Sequence, residues 1–330
     1  MTNLPAHIQI TEEGPREGFQ IEPKAIASSD KIRLINALSQ TGLSSIQVCS
    51  FVSPRLVPGW TDADDVVAKL DKREGILYTA LWFNEKGLQR ALAHKQTLTL
   101  TGTIHTVASE AFCQSNFNRS LELNRVAMVA QTQAHQAHNI EVNKISVMAA
   151  FGCNFAGVVP VEHALDAVRQ GMSIADQCGA RVQEIALADT MGWANPGSIE
   201  RVVSGVRDQW PDIPIRLHLH DTRGLGIANA YAGLCCGVSR FDATVGGLGG
   251  CPFAARRVDT GVARGTSPPT RLAPGNIATE ELVLLATELG INTGVDLDAL
   301  IDCGKLAETI VGHSLPSAAL LGGSLLSYRQ

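Results

Sequence analysis

The sequence predicts an α/β fold, a (β/α)8 TIM barrel with additional C-terminal helices. Three observations lead there. Eight short apolar runs alternate with longer stretches whose apolar residues recur at helical spacing. Strand–helix alternation gives a mostly parallel sheet, and eight such units favour a closed ring over an open sheet. The chain has 330 residues, and single barrels of this kind run past about 250 residues. One domain over 1–330 is therefore expected, with the barrel at about 7–290 and a helical extension over 291–330.

The predicted elements follow in order. Ile8–Thr11 reads as the first strand and Ile26–Leu38 as the first long helix. Strands two to four are predicted at Ser45–Cys49, Leu77–Leu81 and Thr97–Ile104, and a helix at Leu123–Ala137. Glu141–Val147 is the fifth strand. The helix after it, Pro160–Cys178, carries Val161, Ala164, Leu165, Val168, Met172 and Ala175 along one face. Arg181–Leu187, Ile215–His220 and Arg240–Val245 complete the eight. Next comes a Gly-rich segment, Gly246-Gly247-Leu248-Gly249-Gly250, and then a long irregular stretch that includes Arg264-Gly265-Thr266-Ser267-Pro268-Pro269. Gly and Pro at that density mean loop. Helix resumes at Thr279–Leu289, and the tail from Asp296 reads as helices packed across the catalytic face.

Composition excludes several classes. The chain has 27 basic and 32 acidic side chains, 45% hydrophobic and 18% charged residues. That is a globular composition, and its core is large enough to fold without disulfides. With mild acidity and no dense Lys/Arg tract, neither a nucleic acid nor an anionic membrane is an expected partner. No apolar run approaches the roughly 20 residues of a membrane helix. The start of the chain lacks a signal-peptide or transit-peptide pattern, so a cytoplasmic location is expected. None of the eight cysteines is spaced for a zinc ribbon or a thioredoxin-type motif.

Barrel enzymes place reacting groups at the carboxyl ends of their strands. Glu13 to Gly18 follow the first predicted strand, Asp189 follows the sixth, and the seventh ends His218-Leu219-His220. Residues two apart on a strand share a face, so His218 and His220 can converge on one divalent metal. Glu17 suits the third ligand position. Imidazole and carboxylate together fit Mg²⁺, Mn²⁺ or Zn²⁺. The same His-x-His also fits two structural histidines at a strand end.

These segments together resemble the 3-hydroxy-3-methylglutaryl-CoA lyase family. The matching stretches are E-G-P-R-E-G-F-Q from Glu13, S-F-V-S-P-R-L-V-P from Ser50, A-D-T-M-G from Ala188 and H-L-H-D-T from His218. G-G-L-G-G-C-P-F-A from Gly246 and G-N-I-A-T-E-E-L from Gly275 complete the set, in family order across nearly the whole chain. The resemblance implies His218, His220 and Asn276 as metal ligands, with Glu17 in the place of a metal-binding aspartate. It implies Arg16 as the residue that stabilises an enolate, Cys251 as a proton-transfer thiol on a loop, and Asp189 as a further site acid. His218 is expected to take part in catalysis as well as ligation, and Gln47, Ser50 and Arg223 to lie in the substrate pocket. The implied reaction is divalent-metal-dependent retro-Claisen cleavage of a 3-hydroxyacyl-CoA thioester, with Mg²⁺ or Mn²⁺ preferred and Zn²⁺ compatible. A homodimer or higher homo-oligomer is implied as well. Competing readings are a Claisen-type acyltransferase joining acetyl-CoA to a 2-oxo acid, and a degenerate barrel that binds acyl-CoA or metal without turnover.

Several positions depart from the family pattern. Glu17 is longer than aspartate by one methylene, roughly 1.5 Å. Gln47 stands where the lyases have a glutamate near the end of the second strand. Arg223 stands where they usually have an aromatic residue, and Cys153 is followed by Asn154-Phe155-Ala156. The stretch between Cys251 and Asn276 is longer than the family's and carries Arg256, Arg257, Arg264 and Arg271, which suit CoA phosphates or an extra carboxylate. A charge lost at Gln47 and one gained at Arg223 lead to the expectation of a more anionic or differently branched substrate, such as a citramalyl-CoA-like thioester.

Overall fold

Eight parallel strands curl into a barrel-like sheet. They are β1 (Gln9–Glu12), β2 (Ser45–Ser50), β3 (Leu77–Leu81), β4 (Gly102–Val107), β5 (Val142–Met148), β6 (Glu184–Ala188), β7 (Ile215–His218) and β8 (Arg240–Ala243). A computed structural model describes residues 4–55, 57–250 and 275–325. The strands run β3-β2-β1-β8-β7-β6-β5-β4 around the sheet, so seven of the eight junctions of a ring carry ladders. At the remaining junction, Thr99 N donates to Tyr78 O at 2.7 Å, so the segment before β4 spans the seam with β3.

The expected strands are present with shifted edges. β4 begins at Gly102 rather than Thr97, and β6 at Glu184 rather than Arg181. The apolar and β-branched pattern extends past the ladder at those ends, whereas hydrogen-bonded pairing is what sets a strand boundary. A short antiparallel hairpin, Gly152–Cys153 with Gly157–Val158, stands above β5.

Helices pack their apolar stripes on the outside of the sheet. Val161–Cys178 buries Ala164, Leu165, Val168, Ile174 and Ala175 and stops at Gly179, whose φ of 65° suits a glycine C-cap. Pro196–Gln209 starts from an Asn195/Ser198 capping box, which satisfies two backbone N–H groups. The C-terminal helices reach the catalytic face as expected, where Leu297–Val311 packs on the Val245–Gly247 turn. It also packs against Ser28–Leu38 and Thr279–Glu288. Beyond it, Leu315 and Pro316 close over Gly246 and Gly247.

Apolar contacts fill the space between sheet and helices, but the barrel interior is ionic. Arg216 on β7 donates to Glu184 on β6 at 2.8 Å and to Asp242 on β8 at 2.9 Å. Lys144 on β5 and Arg240 on β8 also pair with Glu184. Register explains the cluster, since Lys144 lies opposite Glu184 and Asp242 opposite His218. No helix among the described residues is long and apolar enough to cross a membrane.

Candidate active site

The site sits at the carboxyl ends of β1, β7 and β8, over a cavity of about 520 Å³ that occupies the barrel interior. Glu13 is the first residue past β1. A π-helical turn, Gly14–Gly18, follows and carries Arg16 and Glu17, both buried. Two contacts hold this turn in place. Glu17 N donates to Glu13 O at 2.8 Å, and the Trp60 indole donates to Arg16 O at 2.8 Å. Gly14 admits no side chain there, because a Cβ would lie 2.5 Å from Glu12 Oε1.

Arg16 is engaged on three sides. Nη2 donates to Glu13 Oε2 at 2.7 Å, Nη1 lies 2.9 Å from Glu17 Oε2, and Nε donates to Gln47 Oε1. Burial by itself would raise the Glu17 pKa, but Arg16 together with His218 and His220 brings it down to about 2. Glu17 is therefore a carboxylate at neutral pH. Burial holds Glu13 above the ordinary range against the pull of Arg16.

His218 and His220 converge as their spacing predicts, with Nε2 atoms 3.1 Å apart. Behind them, His218 Nδ1 faces Asp242 Oδ2 at 3.4 Å and Glu13 Oε2 at 3.5 Å. Burial opposes charge on His218, yet Asp242, Glu17 and Glu13 raise it to about 9. His220 is pushed down to about 3 by burial and by His218, which leaves a neutral imidazole, the form that binds metals.

Asn276 arrives from far along the chain. It forms an antiparallel bridge with His220, reinforced by Asp221 N to Gly275 O at 2.7 Å and Ile277 N to Leu219 O at 3.1 Å. Its Nδ2 donates to Glu17 Oε1 at 2.9 Å and to Leu248 O at 3.1 Å. Its buried Oδ1 has no partner among the described residues. Candidate ligand atoms of Glu17, His218 and His220 lie within 4.8 Å of one another. Two imidazoles, a carboxylate and an orphaned amide oxygen suit a divalent cation, so the residues fit the expected metal without selecting among Mg²⁺, Mn²⁺ and Zn²⁺. Glu13, His218 and Asp242 form a second group of the same compactness. There Arg16 and Arg216 already balance the carboxylates, so this group acts to orient His218.

The other expected site residues are placed less uniformly. Gln47 lines the cavity. Ser50 is fully buried at the end of β2, where its hydroxyl oxygen accepts from Val52 N, and it is not part of the lining. Asp189 lies beside the cavity, and its Oδ1 accepts from Trp193 N and Ala194 N at 2.7 and 3.0 Å. Its Oδ2 has no partner among the described residues, and burial raises its pKa to about 6. Arg223 does not bring its charge into the cavity. It donates to Met191 O and Gly192 O, both at 2.8 Å, and lies 5.4 Å above the Trp193 ring. Cys251 and the four arginines after it lie outside the described residues.

Glu13 and Asp242 were not singled out from the sequence. Asp242 had a usable signal. Arg240 and Asp242 alternate with Phe241 and Ala243, and that period-2 pattern puts both charged residues on the barrel's inner face.

Comparison with known proteins decides the family. The HMGL-like family model matches residues 7–307. The chain belongs to the HMGL-like family. It is accordingly a carbon–carbon lyase of the hydroxymethylglutaryl-CoA lyase type. This HMGL-like chain is 35% identical to a hydroxymethylglutaryl-CoA lyase of Bacillus subtilis over 96% of its own length and 97% of that protein. It is also 35% identical to a 3-hydroxy-3-isohexenylglutaryl-CoA/hydroxymethylglutaryl-CoA lyase of Pseudomonas aeruginosa, with the same coverage of 96% and 97%. Among solved structures, an HMG-CoA lyase from Acinetobacter baumannii in complex with coenzyme A and 3-methylmalate superposes with a TM-score of 0.81 at 34% identity, covering 99% of this chain and 98% of that one.

Proposed function

We propose that this HMGL-like chain cleaves a 3-hydroxy-3-substituted acyl-CoA into acetyl-CoA and a keto product. One observation carries the reading. Arg16, Glu17, His218, His220 and Asn276 meet at one end of a cavity in a fold whose relatives are hydroxymethylglutaryl-CoA lyases.

Glu17, His218, His220 and Asn276 would hold the divalent cation, which would take the place of the proton that Asp242, Glu17 and Glu13 favour on His218. When bound, it supplies Lewis acidity toward the substrate's hydroxyl and carboxylate oxygens. Arg16 is fixed at the cavity wall, where its positive charge stabilises an enolate oxygen as the carbon–carbon bond breaks. Asp242 and Glu13 hold the His218 ring so that Nε2 faces the cation site. The cleavage needs one base, for the hydroxyl proton, and one acid, for the enolate carbon. His218 and Asp189 are the described residues assigned to proton movement, and Cys251 is the assigned donor to carbon.

Arg223 spends its guanidinium on two backbone carbonyls. No cation is then added to the cavity from that position, so the first substrate candidate is a 3-hydroxy-3-methylglutaryl-CoA-like thioester; citramalyl-CoA, with the same single free carboxylate one methylene nearer the carbinol carbon, comes second. Mass spectrometry of acetyl-CoA released from both thioesters, with Mg²⁺ or Mn²⁺ and with chelator, tests the reading. Metal-dependent release from one of them supports it. If none is released while acetyl-CoA condenses with a 2-oxo acid, the enzyme is an acyltransferase and the proposal fails.

A further inference from the structure

We propose that Glu13 supplies, from β1, the carboxylate that the neutral Gln47 does not bring to Arg16 from β2, and that it acts as a positioning residue for Arg16. The inference rests on the lyase reading for its kinetic test, but its geometry stands on its own.

Arg16 presents three donor faces, and this chain fills each one differently. Glu17 takes Nη1, Gln47 takes Nε and Glu13 takes Nη2. Glu17 is also shared with Asn276 and with Gly250 N, at 2.9 and 3.2 Å. Gln47 is neutral, so it can orient the guanidinium but cannot balance its charge. Glu13 adds the second negative charge around Arg16, in a charge-assisted contact of 2.7 Å.

Chain geometry brings the two side chains to the same guanidinium. β1 and β2 are neighbours. Glu13 closes β1 while Gln47 lies within β2, and both side chains line the same cavity. Moving the carboxylate from one strand to its neighbour therefore keeps it on the same guanidinium. Glu13 also reaches a second partner. Glu13 Oε2 lies 3.5 Å from His218 Nδ1, so one carboxylate now braces both Arg16 and His218. The β2 side of the cavity then presents an amide, whose N–H groups can donate to a substrate oxygen.

Two exchanges test this. In Glu13→Gln the charge is lost. In Glu13→Gln/Gln47→Glu it returns on β2. Acetyl-CoA release from the thioester cleaved by the wild type would be measured for kcat and KM separately. The expected result is a kcat drop of roughly tenfold or more in the single variant with little change in KM, and recovery of most of that loss in the double variant. A structural role alone would not be repaired by a carboxylate on another strand. An unchanged kcat in Glu13→Gln, or a double variant no better than the single, overturns the proposal.

A second readout needs no turnover. The rate at which phenylglyoxal labels Arg16 is followed by peptide mass spectrometry in the folded proteins. Arg16 should label several-fold faster in Glu13→Gln and return toward the wild-type rate in the double variant. If labelling is the same in all three, Glu13 does not hold Arg16. If the wild type cleaves none of the thioesters, the lyase reading fails, and labelling alone decides the role of Glu13.

Discussion

The Nε2 atoms of His218 and His220 lie 3.1 Å apart, at the mouth of a barrel whose interior is lined with charge. Two ring nitrogens that close face either a shared proton or a shared cation. Glu17 Oε1 at 3.8 Å from His220 and the orphaned Asn276 Oδ1 favour the cation. His220→Ala should lower bound Mn²⁺, measured by inductively coupled plasma mass spectrometry after desalting, to well under half of the wild-type content. Full occupancy in the variant would remove His220 from the ligand set.

Gly249 gives a test that leaves every ligand unchanged. Its φ is 89°, and a Cβ would lie 2.8 Å from Glu17 Cγ and 2.9 Å from Asn276 Nδ2. Gly249→Ala should therefore push the carboxylate and amide apart and weaken Mn²⁺ binding by about tenfold or more, since sites tolerate only about 0.5 Å of displacement. Isothermal titration with Mn²⁺ reads this directly, and an unchanged dissociation constant would show that the turn can move aside.

Arg16→Ala should lower turnover by roughly 100-fold or more, the scale of losing one oxyanion-type donor. It should also cost about 3 kcal/mol of stability, because Glu13 and Glu17 are left as buried carboxylates without their partner. Thermal melts of the metal-free protein check the second part. An unaltered melting temperature would mean that water or a cation replaces the guanidinium without cost.

Trp60 links packing to the same turn. It is fully buried, Lys31 Nζ lies 4.6 Å from its ring centre, and its indole N–H holds Arg16 O. Trp60→Phe should cost about 1–2 kcal/mol through that lost hydrogen bond, and should lower kcat more than it raises KM. A stability loss with kinetics intact would confine Trp60 to the core.

The ionic barrel interior sets the acid response. Burial would raise the Glu184 pKa, but Arg216, Lys144 and Arg240 bring it from 4.5 to about 2. The folded pKa is depressed, so the stabilisation is fully present above pH 4.5 and is lost as pH falls toward 2. A shift of that size corresponds to about 3 kcal/mol. Urea unfolding at pH 7 and near pH 2.5 should show this loss, and Glu184→Gln should be weaker at pH 7 and flatter across the range. Equal wild-type stability at both ends would contradict the assignment.

Much of this was legible in the residues themselves. Eight strands, their order and the placement of Arg16, Glu17, His218 and His220 at strand ends follow from periods of 2.0 and 3.6 along the chain. Those periods are local, and each is written within a dozen residues. The closed ladder was expected all round, but a backbone contact at Thr99 takes its place between β3 and β4. Asp189 was expected as a reacting acid and is found with one oxygen committed to Trp193 N and Ala194 N.

The partners of the site's charges were a different matter. Arg223 was expected in the substrate pocket and instead clamps the carbonyls of Met191 and Gly192 after β6. Glu13 and Asp242 took their roles only once the register of β1, β7 and β8 set them around His218. Asn276 reached Glu17 only through the bridge to His220. A strand's face is settled by alternation within one segment. Which charge meets which depends on register, sheet curvature and contacts between distant segments, such as Glu17 and Asn276, 259 positions apart, and none of these is encoded in a local pattern.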